Sequence, residues 1–271
     1  MPAFHFEILA RDPLSLARAG LLHTPHGAIP TPAFLPVGTQ ATVKGCPPET
    51  LRQLGVGAIM SNAYHLALRP GPAAVSALGG LHALAAWDGP MMTDSGGFQV
   101  FSLADRRKVD AGGVDFRSHL DGSLLRFTPE SVMDLQAELG ADLIMPLDVC
   151  SAGGANHATA AAEMRLTLAW AARARDAQRR QDQLLYGIVQ GAAHPDLRAE
   201  SARATRDLGF GAYAIGGLSV GERKNATLAA LDAAVVELPD EAPRHLLGVG
   251  HPEDFVTGEL RGIDTFDCVM P

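Results

Sequence analysis

The chain contains little cysteine, with three cysteines in 271 residues, Cys46, Cys150 and Cys268. They are odd in number, far apart and form no CxxC pair. This excludes a disulfide framework and a zinc site built from paired cysteines. Because unpaired cysteines are typical of a reducing compartment, we expect a cytoplasmic protein.

An export signal and long hydrophobic runs are also missing. Residues Met1 to Glu7 do not show the basic start and apolar run of a signal peptide. The sequence has no stretch of about 18 apolar residues, so we expect no membrane-spanning helix and no membrane partner.

Positive charge is not in excess, because the formal net charge is −8. A nucleic acid partner would therefore have to bind a local basic patch. The ten histidines include no HxH or HExxH pattern, and an isolated histidine such as His65 is usually structural. We therefore expect no metal ligands within these residues.

The sequence does contain a regular alternation of short apolar runs and longer stretches with helical spacing, which is typical of a parallel sheet. Eight runs are present, the number that closes a (β/α)8 TIM barrel, and we expect one domain over residues 1–271. The predicted strands are Phe34–Val37, Ala58–Asn62, Pro90–Thr93, Leu143–Leu147, Leu184–Val189, Ala212–Ile215, His245–Val249 and Thr265–Val269. The clearest predicted helices are Pro129–Leu139, His157–Arg180, Pro195–Leu208, Lys224–Glu237 and Pro252–Arg261.

Two stretches depart from this alternation. Residues 98–127 carry Gly-Gly and Asp-Gly turns between short alternating segments, which predicts an insertion of hairpins after the third strand. After the eighth strand the chain stops at Pro271, and we expect that the final helix of the barrel is missing and the chain is truncated.

Polar residues follow several apolar runs, at the strand ends that a barrel brings together on one face. Asp94 and Asp148 follow the third and fourth strands, and Asp267 lies in the eighth. Gln190 follows the fifth strand and the Gly216–Gly217 turn follows the sixth. Asp94 and Asp267 supply two carboxylates, which suit glycosidic chemistry with a nucleophile and an acid/base.

Each of these residues also has a competing interpretation. Asp94 can be a turn or helix-capping aspartate, and Asp148 can equally cap a helix. The Gly216–Gly217 turn can bind a phosphate as well as a carbonyl oxygen. Cys268, beside Asp267, is more typical of a small buried side chain than of a catalytic thiol.

Read in order, the motifs of the chain resemble the tRNA-guanine transglycosylase family over nearly the whole length. The matching segments are PAFLPVGTQATVKG at Pro32–Gly45, SNAYHLALRPG at Ser61–Gly71, TDSGGFQVFSL at Thr93–Leu103, FRSHLDGS at Phe116–Ser123, and further along YGIVQG, AIGGLSVGE, LLGVGHPED and RGIDTFDCVMP. Cys150 and Val220 resemble the bacterial branch, which inserts the prequeuosine base. Such enzymes have a (β/α)8 barrel and exchange guanine at the wobble position of certain tRNAs, in queuosine biosynthesis.

The resemblance implies roles for the matching residues. Asp267 would be the nucleophile that forms a covalent intermediate with the ribose, and Asp94 would be the acid/base. The substrate pocket would be formed by Asp94, Ser95, Gly96, Gly97, Phe98, Asp148, Gln190, Gly217 and Leu218. The RNA-binding loop would be formed by Gly248, Val249, Gly250, His251, Pro252, Glu253 and Asp254. Phe98 stands where bacterial members usually have tyrosine, so stacking is kept while a hydroxyl group is lost.

The resemblance also implies the partners of the chain, which are tRNA with a GUN anticodon, guanine, and a 7-deazaguanine that is either the prequeuosine base or queuine. No cofactor is expected for the chemistry. A structural zinc is expected only in a full-length member, with ligands beyond Pro271, and a homodimer is expected if that region is present.

Two other functions fit part of the sequence. One is a non-catalytic RNA-binding or partner subunit, which the missing C-terminal region favours, although retention of Asp94 and Asp267 argues against it. The other is a retaining glycosidase acting on small molecules, which two carboxylates would permit. The base-binding set of Asp148, Gln190 and Gly217 argues against that second function.

Overall fold

The computed structural model describes residues 3–102 and 107–269, and most of its strands belong to one parallel sheet. In chain order the strands are β1 His5–Arg11, β2 Arg18–Thr24, β3 Gly27–Thr31, β4 Ala33–Pro36, β5 Ile59–Asn62, β6 Met91–Asp94, β7 Arg107–Asp110, β8 Gly113–Arg117, β9 Leu124–Phe127, β10 Leu143–Ile144, β11 Leu184–Val189, β12 Ala212–Ile215, β13 Arg244–Leu246 and β14 Thr265–Cys268. The helices are α1 Pro48–Gln53, α2 Ala63–Leu68, α3 Pro72–Ala77, α4 Leu81–Ala85, α5 Gly97–Ser102, α6 Pro129–Leu139, α7 His157–Ala177, α8 Pro195–Asp207, α9 Lys224–Val235 and α10 Pro252–Glu259.

Eight parallel strands form the barrel, in the order β4-β14-β13-β12-β11-β10-β6-β5. The ring closes between β4 and β5 through a parallel bridge of Val37 with Met60, where the amide of Gly38 donates to the Met60 carbonyl at 2.7 Å. The predicted TIM barrel is therefore confirmed, and each of the eight predicted strands is found with its ends shifted by a few residues at most.

The fourth barrel strand, β10, is shorter than predicted, with two residues instead of five. Pro146 has no N–H to donate to a neighbouring strand. The side chain of Gln136 in α6 takes the place of the hydrogen bonds between strands at Met145. Its Oε1 accepts from the Met145 amide at 3.2 Å, and its Nε2 donates to the Met145 carbonyl at 2.7 Å. The chain thereby leaves the sheet early, just before Asp148.

Two apolar layers hold the barrel together. Inside it lie alternate residues of the strands, including Leu35, Met60, Met92 and Ile188. A second cluster fills the space between the strands and the helices, with Trp170 of α7 fully buried in it. This follows from the period of two in a strand, which sends neighbouring side chains to opposite faces.

The predicted helices are all found, and local signals explain where they begin and end. Thr128 and Ser131 form a capping box at the start of α6, whose C-cap Gly140 has a φ of 79°. Helix α7 ends at Ala177 rather than at Arg180, because Gln178 is extended and its side chain donates to the Gln183 carbonyl at 2.8 Å. This contact turns the chain toward β11.

The insertion after the third barrel strand was predicted as hairpins, and this is correct only for its second part. Residues Gly97–Ser102 form the short helix α5, whose first amide donates to Ser95 Oγ at 3.1 Å. Strands β7, β8 and β9 then form an antiparallel sheet that contacts α7 through a hydrogen bond from Trp170 Nε1 to the Ala111 carbonyl. Residues 103–106 of this insertion, and Met270 and Pro271 of the last matching motif, lie outside the described residues.

The sequence analysis did not predict the three-stranded antiparallel sheet β1-β2-β3 that precedes the barrel. Leu22 and Ile29 of this sheet join the apolar cluster inside the barrel. His26, in its second turn, hydrogen bonds to Asp142 at the start of β10, so the sheet covers the amino-terminal end of the barrel. Among the helices that the structure describes, none is both long and apolar enough to cross a membrane.

Candidate active site at the mouth of the barrel

The carboxyl-terminal ends of the barrel strands surround a cavity of about 470 Å³. That size lies within the usual range of small-molecule pockets. Asp94, Asp148, Gln190, Gly217 and Asp267 all line it, although they come from five different strand ends. The structure therefore brings together in one cavity the polar residues that were predicted separately at the ends of these strands.

Asp94 lies at the end of β6 and accepts three hydrogen bonds. The amides of Ala63 and Gly96 donate to its Oδ1 at 3.1 and 3.2 Å, and Asn62 Nδ2 donates to its Oδ2. Burial, and to a smaller degree the charge of Asp267, raise the pKa of Asp94 to about 7, although the hydrogen bonds act to lower it. A carboxyl group that titrates near neutral pH can both donate and accept a proton.

Asp267 lies in β14 and is 9% exposed, with its open side toward the cavity. Its Oδ1 lies 3.0 Å from His245 Nε2 and accepts from the Gly248 amide at 3.0 Å. The other ring nitrogen of His245 lies 2.9 Å from Thr265 Oγ1. Since a carboxylate oxygen can only accept, Nε2 carries the proton, and the fully buried imidazole holds Asp267 in place.

Asp148 and Gln190 form a hydrogen-bonded pair on one wall of the cavity. Gln190 Nε2 donates to Asp148 Oδ2 at 2.8 Å, and Ser95 Oγ donates to Asp148 Oδ1 at 3.2 Å. Burial raises the pKa of Asp148. Gln190 Oε1 is buried and has no hydrogen-bond partner among the described residues. A buried amide oxygen is costly to leave unpaired, so this atom indicates a ligand with a hydrogen-bond donor.

Two glycines are required where this pair approaches the backbone. A Cβ at Gly97 would lie 2.2 Å from Asp148 Oδ1, and a Cβ at Gly217 would lie 2.3 Å from Gln190 Oε1. Gly217 also has a φ of +65°, which favours glycine. Backbone atoms can therefore reach the cavity wall at both positions.

The remaining predicted pocket residues take different places. Phe98 lines the cavity and is 53% exposed, so its ring presents a face for stacking. Ser95 and Leu218 are buried in the wall. Gly96 lies outside the lining, where a Cβ would come within 2.6 Å of the Tyr64 Cβ, so this position sets the path of the chain.

The predicted RNA-binding loop is divided between the cavity and the surface. Gly248 lines the cavity, Val249 is buried, and Gly250 packs on Cys268. The residues His251, Pro252 and Glu253 are exposed at the start of α10. Asp254 is buried and forms an ion pair with Lys224.

The cysteines near the site form no disulfide within the described part of the chain. Burial, and then the charge of Asp148, raise the pKa of Cys150 to about 12. At neutral pH this thiol is protonated, and a thiol is a weak nucleophile compared with a thiolate. Cys268 is buried next to Gly250.

Sequence reasoning missed His245 and Arg198. The guanidinium of Arg198 in α8 is fully buried and donates to the carbonyls of Val189, Ala192, Gly216 and Gly217 at 2.7 to 3.0 Å. It thus binds together the loops that follow β11 and β12. Burial lowers the pKa of Arg198 to about 10, which leaves it charged at neutral pH. The one signal in the sequence was that His245 begins the apolar run HLLGVG, a position where a polar side chain is expected to be buried.

Known proteins are similar to this chain over nearly its whole length. A family model described as Queuine tRNA-ribosyltransferase matches residues 12–271. The chain is 53% identical over 269 residues to the queuine tRNA-ribosyltransferase of Pelotomaculum thermopropionicum, covering 99% of this chain and 73% of that protein. It is 48% identical over 272 residues to the protein of the same name from Caldanaerobacter subterraneus, covering 100% of this chain and 72% of that protein. It is 52% identical over 256 residues to the queuine tRNA-ribosyltransferase of Gluconacetobacter diazotrophicus, covering 94% of this chain and 66% of that protein. The chain therefore belongs to the queuine tRNA-ribosyltransferase family.

Proposed function

We propose that the protein is a pentosyltransferase that replaces guanine at the wobble position of tRNA with a 7-deazaguanine, in queuosine biosynthesis. The observation that carries this proposal is one cavity lined by both Asp94 and Asp267 together with the hydrogen-bonding pair Asp148 and Gln190. The first two residues suit glycosidic bond chemistry, and the second two suit the edge of a purine.

In the proposed reaction Asp267 is the nucleophile. Among the described residues its hydrogen bonds go to Oδ1, so Oδ2 is the oxygen available to attack. The bond from this oxygen to the ribose anomeric carbon forms as the bond from that carbon to guanine breaks, and the negative carboxylate stabilises the oxocarbenium-like transition state. The product of this step is a covalent aspartyl-ribosyl tRNA.

Asp94 is the proposed acid/base. In its protonated form it supplies the proton that the departing guanine takes up. In the second half of the reaction the incoming 7-deazaguanine attacks the anomeric carbon, Asp267 leaves as a carboxylate, and Asp94 takes back the proton that the incoming base loses. A pKa of about 7 suits a group that performs both transfers.

The other pocket residues bind and orient the base. Asp148 accepts from the amidine-like edge of the purine. Gln190 Nε2 and the Gly217 amide donate to its carbonyl group, Gln190 Oε1 accepts from an N–H of the base, and Leu218 supplies a backbone acceptor. Phe98 stacks on the ring of the base, without the hydroxyl of a tyrosine. These contacts fit guanine, the prequeuosine base and queuine, and the proposal assigns no step to a cofactor.

The macromolecular substrate in this proposal is tRNA with a GUN anticodon. With a net charge of −8, attraction over the whole surface does not favour RNA, so local contacts must supply the affinity. The exposed residues His251 to Glu253 at the start of α10 lie next to the cavity-lining Gly248 and are the proposed contact to the phosphates.

The test is incorporation of radiolabelled guanine into tRNA. We expect label to enter with the unaltered chain, and we expect Asp267→Asn to lower the rate by at least about a thousandfold, because the nucleophile is lost. Asp88→Asn changes an exposed aspartate paired with Arg52 and is the matched control, with an unchanged rate. Binding of tRNA without any incorporation would support the non-catalytic subunit, and equal rates with Asp267→Asn would exclude the proposed mechanism.

A further inference from the structure

Two histidines and an aspartate meet at the end of the barrel opposite the candidate active site. His26 Nδ1 lies 2.7 Å from Asp142 Oδ1, and His82 Nε2 lies 3.0 Å from Asp142 Oδ2. The two imidazole rings are stacked, with centroids 3.7 Å apart. Within residues 3–102 and 107–269 this is the one set of three or more histidine, cysteine or carboxylate ligand atoms that all lie within 4.8 Å of one another.

The three side chains come from separate elements. His26 lies in the turn between β2 and β3, His82 lies in α4, and Asp142 lies just before β10. In sequence His26 and His82 are 116 and 60 residues from Asp142. The expectation of no metal ligands rested on the absence of short histidine motifs, and no short motif can show a set assembled across these distances.

The carboxylate is held rigidly, and one side of the cluster is open. Asp142 is 1% exposed, and its Oδ2 also accepts from the Met91 amide at 2.9 Å. The His82 side chain is 14% exposed and the His26 side chain is 42% exposed. An ion can therefore enter from the side of His26, while the carboxylate is fixed in advance.

The charge of Asp142 is compensated differently from that of Asp264, the other deeply buried aspartate at this end. Asp264 accepts two hydrogen bonds from the guanidinium of Arg18, at 2.6 and 2.8 Å. Among the described residues, Asp142 forms ion pairs with His26 and His82 and with no arginine or lysine. A buried carboxylate faced by two weakly basic rings is a favourable place for a cation.

We propose that His26, His82 and Asp142 bind a divalent transition metal ion of the zinc class, with solvent completing the coordination. Two imidazole nitrogens and a carboxylate oxygen are ligands that zinc prefers, at about 2.0–2.2 Å. One ligand atom from each side chain can be chosen so that all three lie within 4.8 Å of one another, and small side-chain movements bring them to the roughly 3.4 Å edge of a zinc tetrahedron. On binding, each coordinating nitrogen gives up its proton to the other ring nitrogen or to solvent, and the His26 ring tilts away from the stack.

The bound ion joins the β2–β3 turn to the base of the barrel. The unfolded chain does not hold these three ligands together, so the ion binds the folded chain. Its binding free energy therefore adds to the free energy of unfolding. The site is separate from the cavity that binds the base in the proposed function. Loss of the ion should therefore change the melting temperature and leave base exchange unaltered at temperatures where the chain is folded.

The test is titration of the chelator-treated protein with Zn²⁺ alone, followed by calorimetry and by thermal unfolding. We expect one ion to bind and the Tm to rise with Zn²⁺ concentration. His26→Ala removes a ligand that lies in an exposed turn, and it should weaken binding at least tenfold and reduce the rise in Tm at a given Zn²⁺ concentration. The matched control is His157→Ala, which removes an exposed histidine paired with Asp196 and should change neither result.

Substitution of Co²⁺ for Zn²⁺ tells this site apart from a cysteine site. Absorption from nitrogen and oxygen ligands alone supports the proposal, whereas a thiolate charge-transfer band would place the ion at a cysteine and overturn it. Failure of the unaltered chain to bind Zn²⁺, or equal binding by His26→Ala, would overturn it as well. None of these outcomes depends on guanine exchange, so this proposal can fail while the proposed function stands.

Discussion

Asp264 at the amino-terminal end of the barrel and the carboxylates at its mouth have different kinds of partner. At the amino-terminal end, Asp264 is held by the side chain of Arg18 and by the Arg244 amide at 2.7 Å. At the mouth, Asp94 and Asp148 form no ion pair with an arginine or lysine of the described chain, and their partners are amides and hydroxyls. Burial raises the pKa of both mouth residues, and it raises the pKa of Asp264 as well, although the Arg18 guanidinium acts to lower it.

Because of this difference, we expect Asp264 to contribute mainly to stability and Asp94 and Asp148 to contribute mainly to the reaction. Both oxygens of Asp264 accept from protein donors, so this carboxylate is committed to holding the fold together. A carboxylate surrounded by neutral donors remains able to accept a substrate hydrogen bond or a proton, at a cost in stability that the rest of the fold offsets. Substitutions at the base of the barrel should therefore reduce stability, and substitutions at the mouth should reduce activity.

The largest effect is expected at the base, for Arg18→Ala. Removal of the guanidinium leaves Asp264 buried with the Arg244 amide as its remaining donor, so the free energy of unfolding should fall by about 3–5 kcal/mol. Urea denaturation followed by circular dichroism measures this change. The control is Arg11→Ala, whose exposed pair with Asp240 at 3.5 Å should contribute less than about 1 kcal/mol. Equal losses for the two variants would remove the proposed contrast between the ends.

The next effect is expected at the mouth, for His245→Phe. Without the imidazole, Asp267 loses one of its two hydrogen bonds to Oδ1, and kcat for guanine exchange should fall about 10- to 100-fold, as expected for a misplaced reacting group. Guanine binding measured by calorimetry should stay unchanged, because His245 lies behind Asp267. His245→Gln keeps a donor and should recover part of kcat. A change in guanine affinity with kcat intact would contradict this positioning role.

A smaller effect is expected for Gly217→Ala. The new Cβ would lie 2.3 Å from Gln190 Oε1, so the amide must move and guanine affinity should fall about tenfold, roughly 1.4 kcal/mol. Gly154→Ala is the matched control, since a Cβ there has no atom within 4 Å. Calorimetric titration with guanine compares the two variants, and equal affinities would show that Gln190 does not bind the base.

The smallest effect is the pH dependence of guanine release. Asp94 must be protonated to act as the acid, and with a pKa of about 7 the protonated fraction falls as pH rises through that value. Single-turnover release of labelled guanine from tRNA should therefore be about fivefold slower at pH 8 than at pH 7, with a slope approaching −1 on a logarithmic plot. A rate that stays flat from pH 6 to 8.5 would argue against Asp94 as the proton donor.

Much of the barrel could be predicted from the sequence, because a fully buried strand appears as a short apolar run between turn residues. The strands β11 and β12 match their predicted bounds. The first sheet was not predicted, since β1 is largely exposed and has no apolar run of the buried type. Similarly, the two-residue strand β10 depends on the Gln136 side chain, a side-chain contact to the backbone of Met145 that hydrophobic periodicity cannot reveal.

The candidate site was predictable to the extent that it lies at strand ends. Asp94, Asp148 and Asp267 could be identified because a barrel topology gathers such positions on one face. His245 and Arg198 could not, because their importance depends on which atoms surround them after folding. The same limit applies to the His26, His82 and Asp142 cluster.

The guanidinium of Arg198 has a consequence for which bases the protein can accept. It clamps the turn after Gln190 and the turn of Gly216 and Gly217 to one rigid group. The two walls that would contact opposite sides of the carbonyl of a base cannot shift independently. In the proposed function, a larger substituent on the incoming base therefore has to point away from the two turns that Arg198 holds. The size of 7-deazaguanine that the pocket tolerates would then depend on the residues at its open edge.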